Sequence, residues 1–177
     1  MIEIYVLLCQ SFPSLAQKEV TSFLIPNGKA DTANLRVNPT FIMGLALNVF
    51  GTALRLECYR RLGPNFSYDL TIRTGHTLCT EGPYAVVRHP CYTGILAYVV
   101  GYSLCHFGPG SWWVECGILD TTAGKVIGCL FFLWTVGVTS KIFKRCKIED
   151  GVLKQVFGKQ WMEWVQRTPY AILPYVY

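Results

Sequence analysis

Between positions 76 and 94 the sequence reads HTLCTEGPYAVVRHPCYTG, which crowds His76, Glu81, Tyr84, Arg88, His89 and Tyr92 around Pro83 and Pro90. Each proline biases the residue before it away from the helical region, so this stretch is expected to be a shaped, irregular loop. Further along, the run RCKIED supplies Arg145, Glu149 and Asp150. Titratable side chains of this kind, gathered beside apolar segments, suit an enzyme that joins a water-soluble cofactor to a greasy substrate. Each residue also has a plainer reading. Arg88 can be one of the basic charges that collect on the inner face of a membrane, and Tyr84 and Tyr92 can be interfacial aromatic anchors. His89 can be a loop or helix-cap histidine. Arg145 and Glu149, four apart, can be a surface ion pair on a helix. The combination carries more weight than any member.

Three apolar segments must position these residues. They cover about 39–56 (PTFIMGLALNVFGTALRL), 92–107 (YTGILAYVVGYSLCHF) and 123–140 (AGKVIGCLFFLWTVGVTS), and each reads as a transmembrane helix near the short end of the usual span length. Pro39 is acceptable at a helix start and Arg55 can snorkel. Non-helical backbone beside a bilayer is tolerated only where protein or a water-lined cavity satisfies it, so Arg88 and His89 are expected to face inward. The loop at 59–91 holds Arg60, Arg61, Arg73 and Arg88, and the segment after the third span holds Lys141, Lys144, Arg145 and Lys147, whereas 108–122 holds Glu115 and Asp120 without lysine or arginine. An odd number of crossings separates each basic region from the acidic one, which puts both clusters on the cytosolic side. Apolar residues at 148, 152, 153, 156, 157, 161, 164 and 165 trace one face of an interfacial helix over about 145–166, with its tryptophans at headgroup level. The ending RTPYAILPYVY, broken by two prolines, reads as an extended tail.

The fold expected is therefore all-α: a multi-pass transmembrane helical protein with a cytosolic cofactor-binding loop and a C-terminal amphipathic helix. Residues 1–38 form a short hydrophobic segment and loop ahead of a core over 39–177. The opening MIEIYVLLCQSF is neither a clean signal peptide nor a complete span. Composition agrees, with 51% hydrophobic and only 15% charged residues, where soluble domains usually carry more charge. The net charge of +5 is scattered, which argues against nucleic acid and for an anionic membrane face. Eight cysteines without a CxxC pair argue against zinc or a disulfide framework, and they read as small packing residues with no metal site.

The ordered set HTLCTEGPYAVVRHPCYTG, RCKIEDGVLKQVFGKQW and RTPYAILPYVY, together with RLGPNFSYDLTIRTGHTL, resembles the isoprenylcysteine carboxyl methyltransferase family, especially its small fungal members, over about residues 40–177. That resemblance implies S-adenosylmethionine as methyl donor and the C-terminal carboxylate of a prenylated cysteine, in a protein or peptide, as acceptor. It implies a multi-pass protein of the endoplasmic reticulum membrane with its active site facing the cytosol. By motif position it puts His76, Thr77, Leu78, Cys79, Tyr84, His89, Pro90, Cys91, Tyr92 and Asp150 at the cofactor, and makes Arg145 and Glu149 the catalytic pair, with Arg145 near the acceptor carboxylate. Cys79 and Cys91 stand where valine and serine are common in the pattern. Two rival activities share parts of the pattern: methylation of a phospholipid amine or other membrane substrate, with Glu149 or Asp150 as base, and an NADPH-dependent sterol reductase, which has a similar RHPxYxG loop.

Overall fold

The computed structural model describes residues 12, 35–63, 66, 75 and 77–176. Among them every regular element is helical: α1 (Pro39–Leu62), α2 (Pro90–Phe107), the single turn α3 (Trp112–Glu115), α4 (Thr122–Phe157) and α5 (Lys159–Arg167), with 3-10 turns at Gly82–Ala85 and Ile118–Asp120. Helices thus form at all three places where spans were expected. Two of them, α1 and α4, are long and apolar enough to cross a membrane.

Local chemistry sets the helix starts. Asn38 caps α1, its side-chain oxygen accepting from the Phe41 amide at 2.8 Å, and Pro39 follows at the first helical position where its missing N–H costs nothing. Thr121 does the same for α4 by accepting from the Gly124 amide at 3.0 Å. At α2 the carbonyl of His89 takes the amides of Tyr92 and Thr93, again with a proline, Pro90, at the first position.

The chain divides into two compact units, one made of Met1–Leu47 and Val99–Thr135, the other of Asn48–Tyr98 and Val136–Tyr177. In the first, Leu35, Cys116 and Ile118 are buried against Trp112 and Trp113, and Phe107 stacks loosely on Phe131 with centroids 4.9 Å apart. In the second, two apolar clusters form. One joins Ile142, Cys146, Ala171 and Ile172; the other joins Cys58, Tyr84 and Trp164. Within this unit α1 and α2 cross on glycines: a Cβ on Gly51 would lie 2.5 Å from the Gly94 carbonyl, so no larger residue fits without separating the backbones. Gly44 plays the equivalent part in the first unit, where its Cβ would meet the Gly101 carbonyl at 2.8 Å.

Three boundaries differ from expectation. The helix after Thr122 does not stop near 140 to give way to a separate interfacial helix over 145–166. It runs unbroken to Phe157, breaks at Gly158, whose φ of 49° suits glycine, and resumes as α5. At 1.5 Å per residue, α4 is about 54 Å long, well beyond the roughly 30 Å of a bilayer's hydrocarbon. Its apolar stretch over 123–140 is enough to cross, and the half beginning at Lys141 extends past it with a dense set of charges. Trp164, expected to face the headgroups, is instead packed inside protein: it is 2% exposed, and its indole N–H donates to the Tyr84 carbonyl at 3.1 Å. The ending is irregular as expected from its prolines, yet it is docked rather than loose, with Thr168, Ala171 and Ile172 all buried.

Candidate active site

The start of α2 meets the charged half of α4 inside the second unit. His89 lies between two carboxylates, with Nε2 3.1 Å from Asp150 Oδ1 and Nδ1 3.4 Å from Glu149 Oε2. The Tyr92 hydroxyl donates to Glu149 Oε1 at 2.6 Å, and Arg145 Nε donates to the same oxygen at 2.9 Å. Arg88 completes the set by donating Nε and one terminal nitrogen to Asp150 Oδ2 at 3.3 and 3.1 Å. Five charged groups and a phenol therefore form one continuous hydrogen-bonded network. It requires the i and i+4 positions of α4 for Arg145 and Glu149, and the passage from irregular chain into α2 for Arg88, His89 and Tyr92.

The electrostatics follow from this geometry. Burial alone would drive His89 toward its neutral form, but hydrogen bonds and charge from Asp150 and Glu149 outweigh burial and raise its pKa. Both ring nitrogens face carboxylate oxygens, so the doubly protonated imidazolium satisfies both contacts. The two carboxylates, in the polar half of α4, answer in kind. Burial opposes their ionisation, yet His89, Tyr92 and Arg145 hold Glu149 below the usual carboxylate range, and His89 and Arg88 do the same for Asp150.

The other residues expected at a cofactor separate from this network. Tyr84 is 7% exposed in the Cys58 and Trp164 cluster, where burial pushes its phenol far above the ordinary value and keeps it neutral. Leu78, Cys79 and Cys91 pack against the same cluster. Pro90 is fully buried at the helix start, and Thr77 is exposed in an irregular segment. His76 lies outside the described residues. Sequence reasoning missed the part played by the C-terminal segment. The carbonyls of Thr168 and Pro169 accept from Arg88, and those of Tyr170 and Ala171 accept the amides of Arg88 and His89. No side-chain signal announces such contacts.

Every regular element among the described residues is helical, two of the helices are long and apolar enough to cross a membrane, and an ionic cluster lies at the polar end of one of them; together these support a helical membrane protein with a candidate catalytic centre. Residues 44–116 match the profile of the isoprenylcysteine carboxyl methyltransferase family. Protein-S-isoprenylcysteine O-methyltransferase B of Arabidopsis thaliana is 31% identical over 135 residues, covering 75% of this chain and 58% of its own length. Protein-S-isoprenylcysteine O-methyltransferase of Homo sapiens is 28% identical over 138 residues, 76% of this chain and 41% of that protein. A delta(14)-sterol reductase of Mus musculus is 29% identical over 104 residues, 59% of this chain and 21% of the reductase. The chain is similar to the isoprenylcysteine carboxyl methyltransferase family over residues 44–116, and spans little more than half the length of the plant relative it matches.

Proposed function

We propose that this chain transfers a methyl group from S-adenosylmethionine to the C-terminal carboxylate of prenylated cysteine in proteins or peptides. The observation that carries the reading is the meeting of His89 and Tyr92 with Arg145, Glu149 and Asp150 in one network, since both halves of the family's pattern are needed to build it.

The residues suit the donor chemically. The face of the Tyr92 ring, beside Glu149, suits a ligand carrying sulfonium charge. Glu149, Asp150 and Tyr92 would hold it, with Leu78 and Cys79 offering apolar surface nearby. When bound, S-adenosylmethionine supplies an electrophilic methyl carbon.

The acceptor is a carboxylate, already ionised at neutral pH, so no side chain has to remove a proton. What the protein must supply is alignment. Arg145 is suited to align it, because its side chain is 41% exposed and its planar guanidinium matches a carboxylate in shape and charge. Its part is orientation, because a stronger grip would stabilise bound acceptor as much as the transition state. Exclusion of water assists a reaction in which opposite charges cancel.

The length and apolar, mostly unburied surfaces of α1 and α4 support a bilayer setting. The basic residues around both site segments, against the acidic 108–122 connection, favour a multi-pass arrangement with the site on the cytosolic side. A thin membrane such as that of the endoplasmic reticulum suits the short apolar stretches.

The test is purified protein in detergent or vesicles with labelled S-adenosylmethionine and a farnesylcysteine analogue. Label released as methanol by mild alkali is expected. Base-stable label on a lipid amine would replace this reading with amine methylation. NADPH oxidation with a sterol would favour a reductase, which the mouse relative keeps in view. Arg145→Ala should lose turnover while donor binding is kept; loss of donor binding instead would remove Arg145 from the acceptor side.

A further inference from the structure

We propose that Arg88 is the positioning residue of this site, tying Asp150 to the C-terminal segment over 168–172 so that His89 is held between its two carboxylates. Arg88 is 11% exposed, and each of its three guanidinium nitrogens is spent inside the protein. Nε and one terminal nitrogen lie on Asp150 Oδ2, and the other terminal nitrogen donates to the carbonyls of Thr168, at 3.1 Å, and Pro169. A planar five-donor fork can bridge one carboxylate and two carbonyls at once; an ammonium cannot do so in that geometry. Fixing Oδ2 leaves Oδ1 directed at His89 Nε2, 3.1 Å away.

The main chain reinforces the same union. The amides of Arg88 and His89 donate to the Tyr170 and Ala171 carbonyls at 2.9 and 2.8 Å. Thr168 Oγ1 donates to the Ala85 carbonyl at 3.3 Å, and Thr93 Oγ1 donates to the Ile172 carbonyl. Side chains at 168, 171 and 172 are buried, so the segment is anchored from both flanks. A guanidinium committed in this way has no donor set to offer a substrate. It acts through Asp150 and His89, and the charge it shares with the network is secondary to the geometry it imposes.

The groups facing His89 are Asp150 and Glu149 from α4, Tyr92 from α2 and Arg88 from the loop, with Arg145 acting through Glu149. That makes the histidine a reporter. The chain has three histidines, so the imidazole signals can be assigned by single substitutions and titrated by NMR in detergent. If Arg88 positions Asp150, both Arg88→Lys and Arg88→Gln shift the His89 midpoint down toward the ordinary imidazole value. If Arg88 supplies charge alone, Arg88→Gln shifts the midpoint up and Arg88→Lys leaves it in place, and either result overturns the proposal. Should Arg88→Gln fail to fold, Arg88→Lys decides.

A measurement on the unaltered protein adds a second check: the Arg88 and His89 amides should exchange as slowly as those within α2, and rapid exchange would show that the 168–172 segment is not docked. The proposal uses the methyl-transfer reading only for its kinetic arm. There, Arg88→Lys lowers kcat roughly tenfold or more through misplacement of its neighbours, with acceptor KM little changed. Absence of methyl transfer in the unaltered protein would sink the functional reading and leave the His89 titration to judge Arg88.

Discussion

Two faces of the same short loop do opposite work. On one, Tyr84, Cys79 and Cys91 join Cys58, Leu153 and Trp164 in an apolar cluster whose polar atoms are few and neutral. On the other, Arg88, His89 and Tyr92 feed an ionic network in which every described charge has an opposite partner. Residues expected to share one duty, contact with a cofactor, are thus divided between a structural anchor and a charged centre. The difference teaches that the loop is held by burial on one side so that it can place charge accurately on the other. Irregular backbone has few hydrogen bonds of its own, and here it is fixed by what its side chains bury and by the carbonyls it borrows from 168–172.

The largest effect expected is on the apolar face. Trp164→Ala would empty a nearly fully buried site and leave the Tyr84 carbonyl without its indole donor, at a cost of about 3–5 kcal/mol. Thermal unfolding in detergent should show a large fall in Tm, with activity lost in proportion to folded protein. An unchanged Tm would mean that the cluster does not anchor the loop. Next comes the charged face. Glu149→Gln keeps the size of the side chain but removes the charge that Tyr92, His89 and Arg145 converge on. Turnover should fall roughly a hundredfold, in line with the loss of a group that orients reactants, while Tm moves far less than in Trp164→Ala. If Glu149→Gln instead lowers Tm as much as Trp164→Ala, the two faces are not distinct in kind.

The helices were legible where local chemistry writes them. Pro39 announces the start of α1, whereas Pro90, read as part of the irregular loop, proves to be the first residue of α2. The end of the third long helix was not legible. Gly151 and Gly158 are the same residue seven positions apart, yet the first sits within α4 and the second breaks it. What separates them is tertiary: a turn at 158 swings Trp161 and Trp164 toward the cluster that also takes Leu153, and nothing in the local sequence records that partner. The site shows the same division. Opposite charges at 88–89 and 149–150 could be matched on paper because side chains carry their signal in the sequence. The carbonyls of Thr168 and Pro169 carry none, so the docking of the ending, and the role of Arg88, emerge only from the fold.

A smaller and sharper test uses pH. His89 has a raised pKa in the folded protein, so its contribution to stability is complete below the unfolded imidazole value, about 6.5, and fades as pH climbs through the folded value. Glu149 and Asp150 have lowered values, so theirs is complete above the unfolded carboxylate range, about 4, and fades as pH falls through the folded values. The network should therefore stabilise most in the weakly acidic window between those limits. Tm measured at about pH 5.5, inside that window, should exceed Tm well above the His89 midpoint, and His89→Gln should abolish most of that difference. Trp164→Phe, which spares every ionisable partner of the network, should lower Tm modestly at both pH values and leave the difference intact. A pH difference that survives His89→Gln would assign it to other groups, and one that vanishes in Trp164→Phe would mean that the ionic face cannot form without the indole of the apolar one.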